Sequence, residues 1–184
     1  AACAQETAGD WLVGFGMAGN ERVGRTGEYA YAFDMAREAG LRLTSHAGEW
    51  DGPQAVADAL DHLRVERLGH GVRAVEDDAL VDRLAEAGTV LEVCPGSNIA
   101  LGHNQAWRAN PNERLRARGV KVTVSSVDPP FFDSTMTREY DRLAEAFDWD
   151  AAEVRTLNRV AAEAAFCDET TRARLIEALE PKDA

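Results

Sequence analysis

Histidine and carboxylate side chains gather in a few short, glycine-rich stretches of this chain. Ser45-His46-Ala47-Gly48-Glu49 places an imidazole and a carboxyl three residues apart, and Gly69-His70-Gly71 sets a second imidazole between two glycines. An imidazole titrates near neutral pH and also binds metals. A carboxyl in an enclosed site can be kept protonated and so serve as an acid. Three more polar stretches accompany them: Met17-Ala18-Gly19-Asn20-Glu21, Cys94-Pro95-Gly96-Ser97-Asn98 and Ser125-Ser126-Val127-Asp128-Pro129-Pro130. Singly, each has an ordinary reading. A lone histidine is most often a hydrogen-bonded structural residue, a lone glutamate a solvated loop acid, and Asp-Pro-Pro or Pro-Gly-Ser-Asn a turn.

The elements between these stretches suggest why they recur. Apolar, β-like runs start near residues 11, 41, 65, 89 and 120, and each is followed by one of the polar stretches. Helical periodicity fills the gaps, over about 27–39, 53–63, 76–87 and 110–119. Three helices follow at about 135–147, 151–165 and 169–179, with Asp150 and Asp168 as caps. Asn110-Pro111-Asn112-Glu113 reads as a cap, a first-position proline and a capping-box acid. Strands that alternate with helices at this spacing predict an α/β fold with a parallel sheet. Two architectures fit: an open doubly wound sheet, or an incomplete TIM (β/α)8 barrel with about five of its eight strand–helix units plus C-terminal helices. No GxGxxG follows a strand, so a dinucleotide site has no support. In a barrel, all five polar stretches lie on the catalytic rim at the strand C-termini.

Bulk properties narrow the function. The chain has 184 residues, 45% of them apolar, and is read as one domain over 1–184. Its net charge of -12 opposes a phosphate backbone, so nucleic acid is excluded as a partner class. The three cysteines, Cys3, Cys94 and Cys167, have no CxxC spacing and form neither a disulfide framework nor a cysteine metal site. They point to a reducing, cytoplasmic setting. No apolar run suggests a membrane span. Ala1–Asp10 is small and polar, lacks a starting methionine, and reads as sequence cut from something longer.

In order and spacing the polar stretches resemble the adenosine deaminase family of metal-dependent hydrolases, which includes adenosine and AMP deaminase-like enzymes. The resemblance runs over about residues 11–180 and corresponds to the C-terminal part of the family barrel. It rests on Gly-Met-Ala-Gly-Asn-Glu, His-Ala-Gly-Glu, Leu-Gly-His-Gly, Glu-Val-Cys-Pro-Gly-Ser-Asn and Ser-Ser-Val-Asp-Pro-Pro. It implies hydrolytic deamination at purine C6, adenosine going to inosine and ammonia by a zinc-activated water. It further implies that His46 is a zinc ligand, that Glu49 protonates purine N1, and that His70 orients the attacking hydroxide. The Gly19 N–H would donate to N3, and Asp128 would bond N7.

The departures from the family pattern are as specific as the matches. No His-x-His motif is present, and Val127 stands where the family has a zinc-binding aspartate. Asn20 replaces an acid, and Asn110 stands where a histidine is expected. Valine has no lone pair for a metal. Asp128 is not expected to substitute, because adjacent strand residues point to opposite faces. His46 is then one donor where a catalytic zinc needs about three, so zinc is expected to be weak or absent and this chain alone inactive. Missing strands would leave open sheet edges and an exposed apolar face, favouring self-association. Two other functions remain: a deaminase of adenine or a related aminopurine, and a catalytically dead purine-nucleoside-binding or structural remnant. A protein-interaction module has only the open edges in its favour.

Overall fold

The computed structural model describes residues 1–9 and 11–181; Asp10 and residues 182–184 lie outside them. The elements follow in chain order as helix α1 (Ala2–Thr7), strand β1 (Gly14–Met17), α2 (Ala30–Glu38), β2 (Arg42–Ala47), α3 (Pro53–Asp58), β3 (Arg67–His70), α4 (Asp78–Ala87) and β4 (Val90–Val93). They continue with α5 (Pro95–Ala100), α6 (Asn112–Ala117), β5 (Lys121–Val124), α7 (Pro129–Phe132), α8 (Met136–Phe147), α9 (Ala151–Ala164) and α10 (Glu169–Leu179). Among the described residues, no helix is long and apolar enough to cross a membrane.

The five strands form one open parallel sheet in the order β1-β2-β3-β4-β5. Each new strand is added on the same side, so the strand order never reverses. A doubly wound sheet requires such a reversal, so the winding is that of a barrel. The register sets His46 beside Gly69 and Ala47 beside His70.

The chain divides into two compact units. The first, residues 1–92 and 111–121, buries one face of its strands under helices. Leu43, Leu68 and Leu91 on the strands and Phe33, Val56, Leu84 and Leu115 on the helices are all nearly inaccessible. Each such side chain contributes about 1.5–3 kcal/mol of transfer free energy. Along β2 burial alternates, with Leu43, Ser45 and Ala47 inside and Arg42, Thr44 and His46 half-buried on the other face. That other face is polar, contrary to the apolar face expected. Thr44 Oγ1 donates to Glu92 at 2.9 Å, Arg67 pairs with Glu92 at 3.2 Å, and Arg42 pairs with Glu66. A closed barrel directs alternate strand residues inward, and here those positions are charged and paired.

The second unit, residues 93–110 and 122–184, has a core of Val124, Leu143 and Leu157, packed by Trp107, Tyr140, Phe147 and Trp149. Asp150 caps α9 by accepting from Ala152 and Glu153, and Asp168 caps α10 by accepting from Thr171, both as the sequence predicts. The predicted cap at Asn110 fails. Asn110 is buried, the cap position falls on Pro111, and no side chain caps α6. Ser97 and Asn98, read as a turn, are buried within α5. Helix α1 occupies a stretch that the sequence reading left without an element.

Candidate active site

The site residues of the first unit sit at or just beyond the C-terminal ends of their strands. Strand β2 delivers His46, and the chain then turns sharply at Gly48, which adopts φ 76°. A Cβ on Gly48 would lie 2.4 Å from Val56, so the turn requires glycine in both conformation and space. The turn brings Glu49 back into the fold, where its side chain is 11% exposed. Strand β3 ends at His70, only 3% exposed and held at φ 62°. A left-handed backbone is strained for histidine, and such strain gathers at functional sites. Glycine at 69 is also required by the site: a Cβ there would lie 2.9 Å from His46 Nδ1.

These turns bring three side chains together. The His46 and His70 rings lie 5.1 Å apart, tilted by 59°. His70 Nε2 is 3.6 Å from Glu49 Oε2, an ion-pair separation rather than a hydrogen bond. Burial, and then the negative charge of Glu21, push the Glu49 carboxyl from its ordinary 4.5 up to about 7, against an opposing hydrogen bond from Trp50. At neutral pH this carboxyl therefore exists in both forms, as a proton donor needs.

Glu21 also has a role that the sequence reading did not assign. The N–H groups of Gly48, Glu49, Trp50 and Asp51 all donate to its carboxylate, at 3.1, 3.0, 3.2 and 2.9 Å. Its partners are 27 to 30 residues away, so no local pattern announces them. A cleft of about 370 Å³ opens beside these residues, lined by Met17, Gly19, Glu21, Val23, Tyr29 and His46. Glu49 and His70 are not part of its lining. Gly19, at φ 133°, has nothing within 4 Å of where a Cβ would stand, so its backbone is open to approach.

Val127 and Asp128 belong to the second unit. Neither lies on a strand: β5 ends at Val124, and Asp128 is exposed, with φ 43°, at the head of α7. The argument from strand alternation therefore does not apply to Asp128. Among the described residues, no three His, Cys, Asp or Glu side chains form a group that could hold a metal ion. His46 is a single imidazole donor, and the described donor set does not fit a catalytic zinc.

The second unit has a buried carboxyl of its own. Glu139 is 1% exposed, and burial raises its pKa. It accepts from the Gly96 N–H at 2.8 Å and pins the Cys-Pro-Gly-Ser-Asn segment.

Comparison with known proteins agrees with this geometry. The family described as adenosine deaminase matches residues 1–182. The chain is 57% identical over 168 residues to an adenine deaminase of Rhizobium leguminosarum bv. trifolii, covering 91% of this chain and 52% of the relative. It is 55% identical over 168 residues to an adenine deaminase of Agrobacterium fabrum, covering 91% and 52%. The solved adenine deaminase of Arthrobacter aurescens superposes with a TM-score of 0.87 at 30% identity, over 91% of this chain and 51% of that one. A zinc-bound cog1816 amidohydrolase of Burkholderia ambifaria gives 0.86 at 25% identity, over 97% and 51%. The chain thus spans about half the length of the relatives it matches. With the family match running almost end to end over the same strand-end stretches, the chain belongs to the adenosine deaminase family.

Proposed function

We propose that the protein is a hydrolytic deaminase of 6-aminopurines, with adenine as its favoured substrate. Residues 1–184 then supply the acid, the base and one imidazole donor. The observation that carries this reading is the buried Glu49–His70 pair, with the carboxyl raised to about 7. Glu49 donates a proton to purine N1, which makes C6 electrophilic. His70 accepts a proton from the water that attacks C6. The C6–N bond then breaks, ammonia leaves with that proton, the second proton of the water passes from O6 back to Glu49, and hypoxanthine remains. The Gly19 N–H binds N3. The family resemblance alone suggested adenosine; the names of the relatives favour the free base.

The test is conversion of adenine to hypoxanthine and ammonia, followed by ultraviolet absorbance, with adenosine in a parallel reaction. Adenine turnover that falls at least a hundredfold in Glu49→Gln is expected. Faster turnover of adenosine, or a Glu49→Gln variant as active as the parent, sinks the reading.

A second reading, a purine-binding protein without turnover, is favoured by Val127, which offers no lone pair where the family pattern has a zinc ligand. It requires adenine binding without hypoxanthine formation. Hypoxanthine formed from bound adenine overturns this second reading.

A further inference from the structure

Two loops carry the groups assigned to the purine, one after β1 with Gly19 and one after β2 with Glu49. Nothing in the strand register fixes the distance between them, because both groups lie beyond the last paired residues, Met17 and Ser45. We infer that Glu21 is a positioning residue, whose carboxylate ties the Gly19 loop to the Glu49 loop and so sets the span between the two purine-contacting groups. This inference rests on the proposed deaminase reading.

The geometry is that of a built tether. Four consecutive N–H groups, Gly48 to Asp51, converge on the two Glu21 oxygens within 3.2 Å. Successive N–H groups in a tight turn form a concave anion site, and bonds to a charged acceptor are about twice as strong as neutral ones. The Gly48 turn that presents these donors admits no side chain, since a Cβ there would lie 2.4 Å from Val56. The carbonyl side of the same segment is held elsewhere. Arg73 Nη1 donates to the Trp50 carbonyl at 2.8 Å, and the Arg73 N–H donates to the Gly48 carbonyl at 3.0 Å. On the Glu21 side the tether is short. Gly19 is two residues from Glu21, and the adjoining turn that carries Glu21 is closed by the Arg22 N–H on Asn20 Oδ1 at 3.0 Å. Arg22 adds a second link across the gap, pairing with Asp51 at 3.4 Å.

The chemistry predicts how substitutions divide. Glu21→Gln keeps the length but turns one acceptor into a donor facing donors. Glu21→Asp keeps both acceptors and the charge but withdraws them by one methylene. The experiment compares amide hydrogen exchange and adenine affinity in the parent chain and in both variants. In Glu21→Gln, the amides of Gly48–Asp51 are expected to exchange about tenfold faster, with Leu68 and Leu91 unchanged. Adenine is expected to bind about tenfold more weakly, and Glu21→Asp should recover part of both losses. Exchange at Gly48–Asp51 that stays within about twofold of the parent overturns the tether. Faster exchange with unchanged adenine affinity reduces Glu21 to a structural residue and overturns its positioning role. Failure of the parent chain itself to bind adenine overturns the deaminase reading, and this role with it. Parent binding that survives Glu21→Gln overturns the role of Glu21 alone.

Discussion

Replacing Glu49 with glutamine should stabilise the fold at alkaline pH and leave it nearly unchanged at acidic pH. Folding carries this carboxyl from 4.5 to about 7, chiefly by burial. The native state therefore binds the proton more tightly than the unfolded chain. The associated stability is fully present below about pH 4.5 and is lost as pH rises through about 7. At about 1.4 kcal/mol per tenfold in proton affinity, the ceiling is about 3 kcal/mol. The side chain keeps 11% exposure, so solvent screening brings the expected effect to about 1–2 kcal/mol. Glutamine matches the protonated carboxyl in shape and lacks its titration. Urea unfolding of parent and variant at about pH 5 and about pH 8 isolates this group, because titrations common to both proteins cancel. The variant should gain about 1–2 kcal/mol at the higher pH and little at the lower. An equal difference at both pH values, or a variant weaker at about pH 8, would refute the assignment of a raised carboxyl.

Three further outcomes follow from packing and capping. Gly69→Ala puts a methyl 2.9 Å from His46 Nδ1, so the ring must turn away. A cost of about 1–3 kcal/mol is expected in thermal unfolding, together with a moved His46 imidazole resonance by NMR. Gly96→Ala drives a methyl to 2.2 Å from Glu139 Oε1, displacing a buried carboxyl from its N–H partner. Denaturant unfolding should show a loss of about 1.5–3 kcal/mol. Asp150→Ala removes two cap bonds from the start of α9 and should cost about 1 kcal/mol, read by circular dichroism on heating.

The sequence disclosed those parts of the fold that are written locally. Strand ends, helix caps at Asp150 and Asp168, and the glycines around His46 and His70 each carry a signal within a few residues. Short apolar runs between helical patterns recovered all five strands, with shifts of one to three residues at their starts. The largest shift came at β1, where Trp11 and Val13 continue the apolar run but are exposed and precede the strand, although the Val13 carbonyl still accepts from the Arg42 N–H at 3.0 Å. What escaped was written between distant positions. The partners of Glu21 lie a full strand–helix unit downstream, and the hold of Glu139 on Gly96 spans 43 residues. The cap at Asn110 failed for a related reason, since burial of its side chain took priority over a local hydrogen bond. The polar face of β2 was open to inspection, because Arg42, Thr44 and His46 alternate with Leu43 and Ser45. An apolar run marks a strand but says nothing of the residues on its other face.

The backbone of His70 has a consequence for how this chain would evolve under different pressures. A histidine held at φ 62° occupies a conformation that asparagine or glycine adopts more easily. Under the proposed function, thermal tolerance and purine chemistry pull this position in opposite directions. A library sorted for melting temperature alone should drift to Asn or Gly at residue 70, whereas one sorted for purine turnover should retain histidine. Comparing the two selected pools would measure, at one position, how far the protein departs from its own most restful backbone.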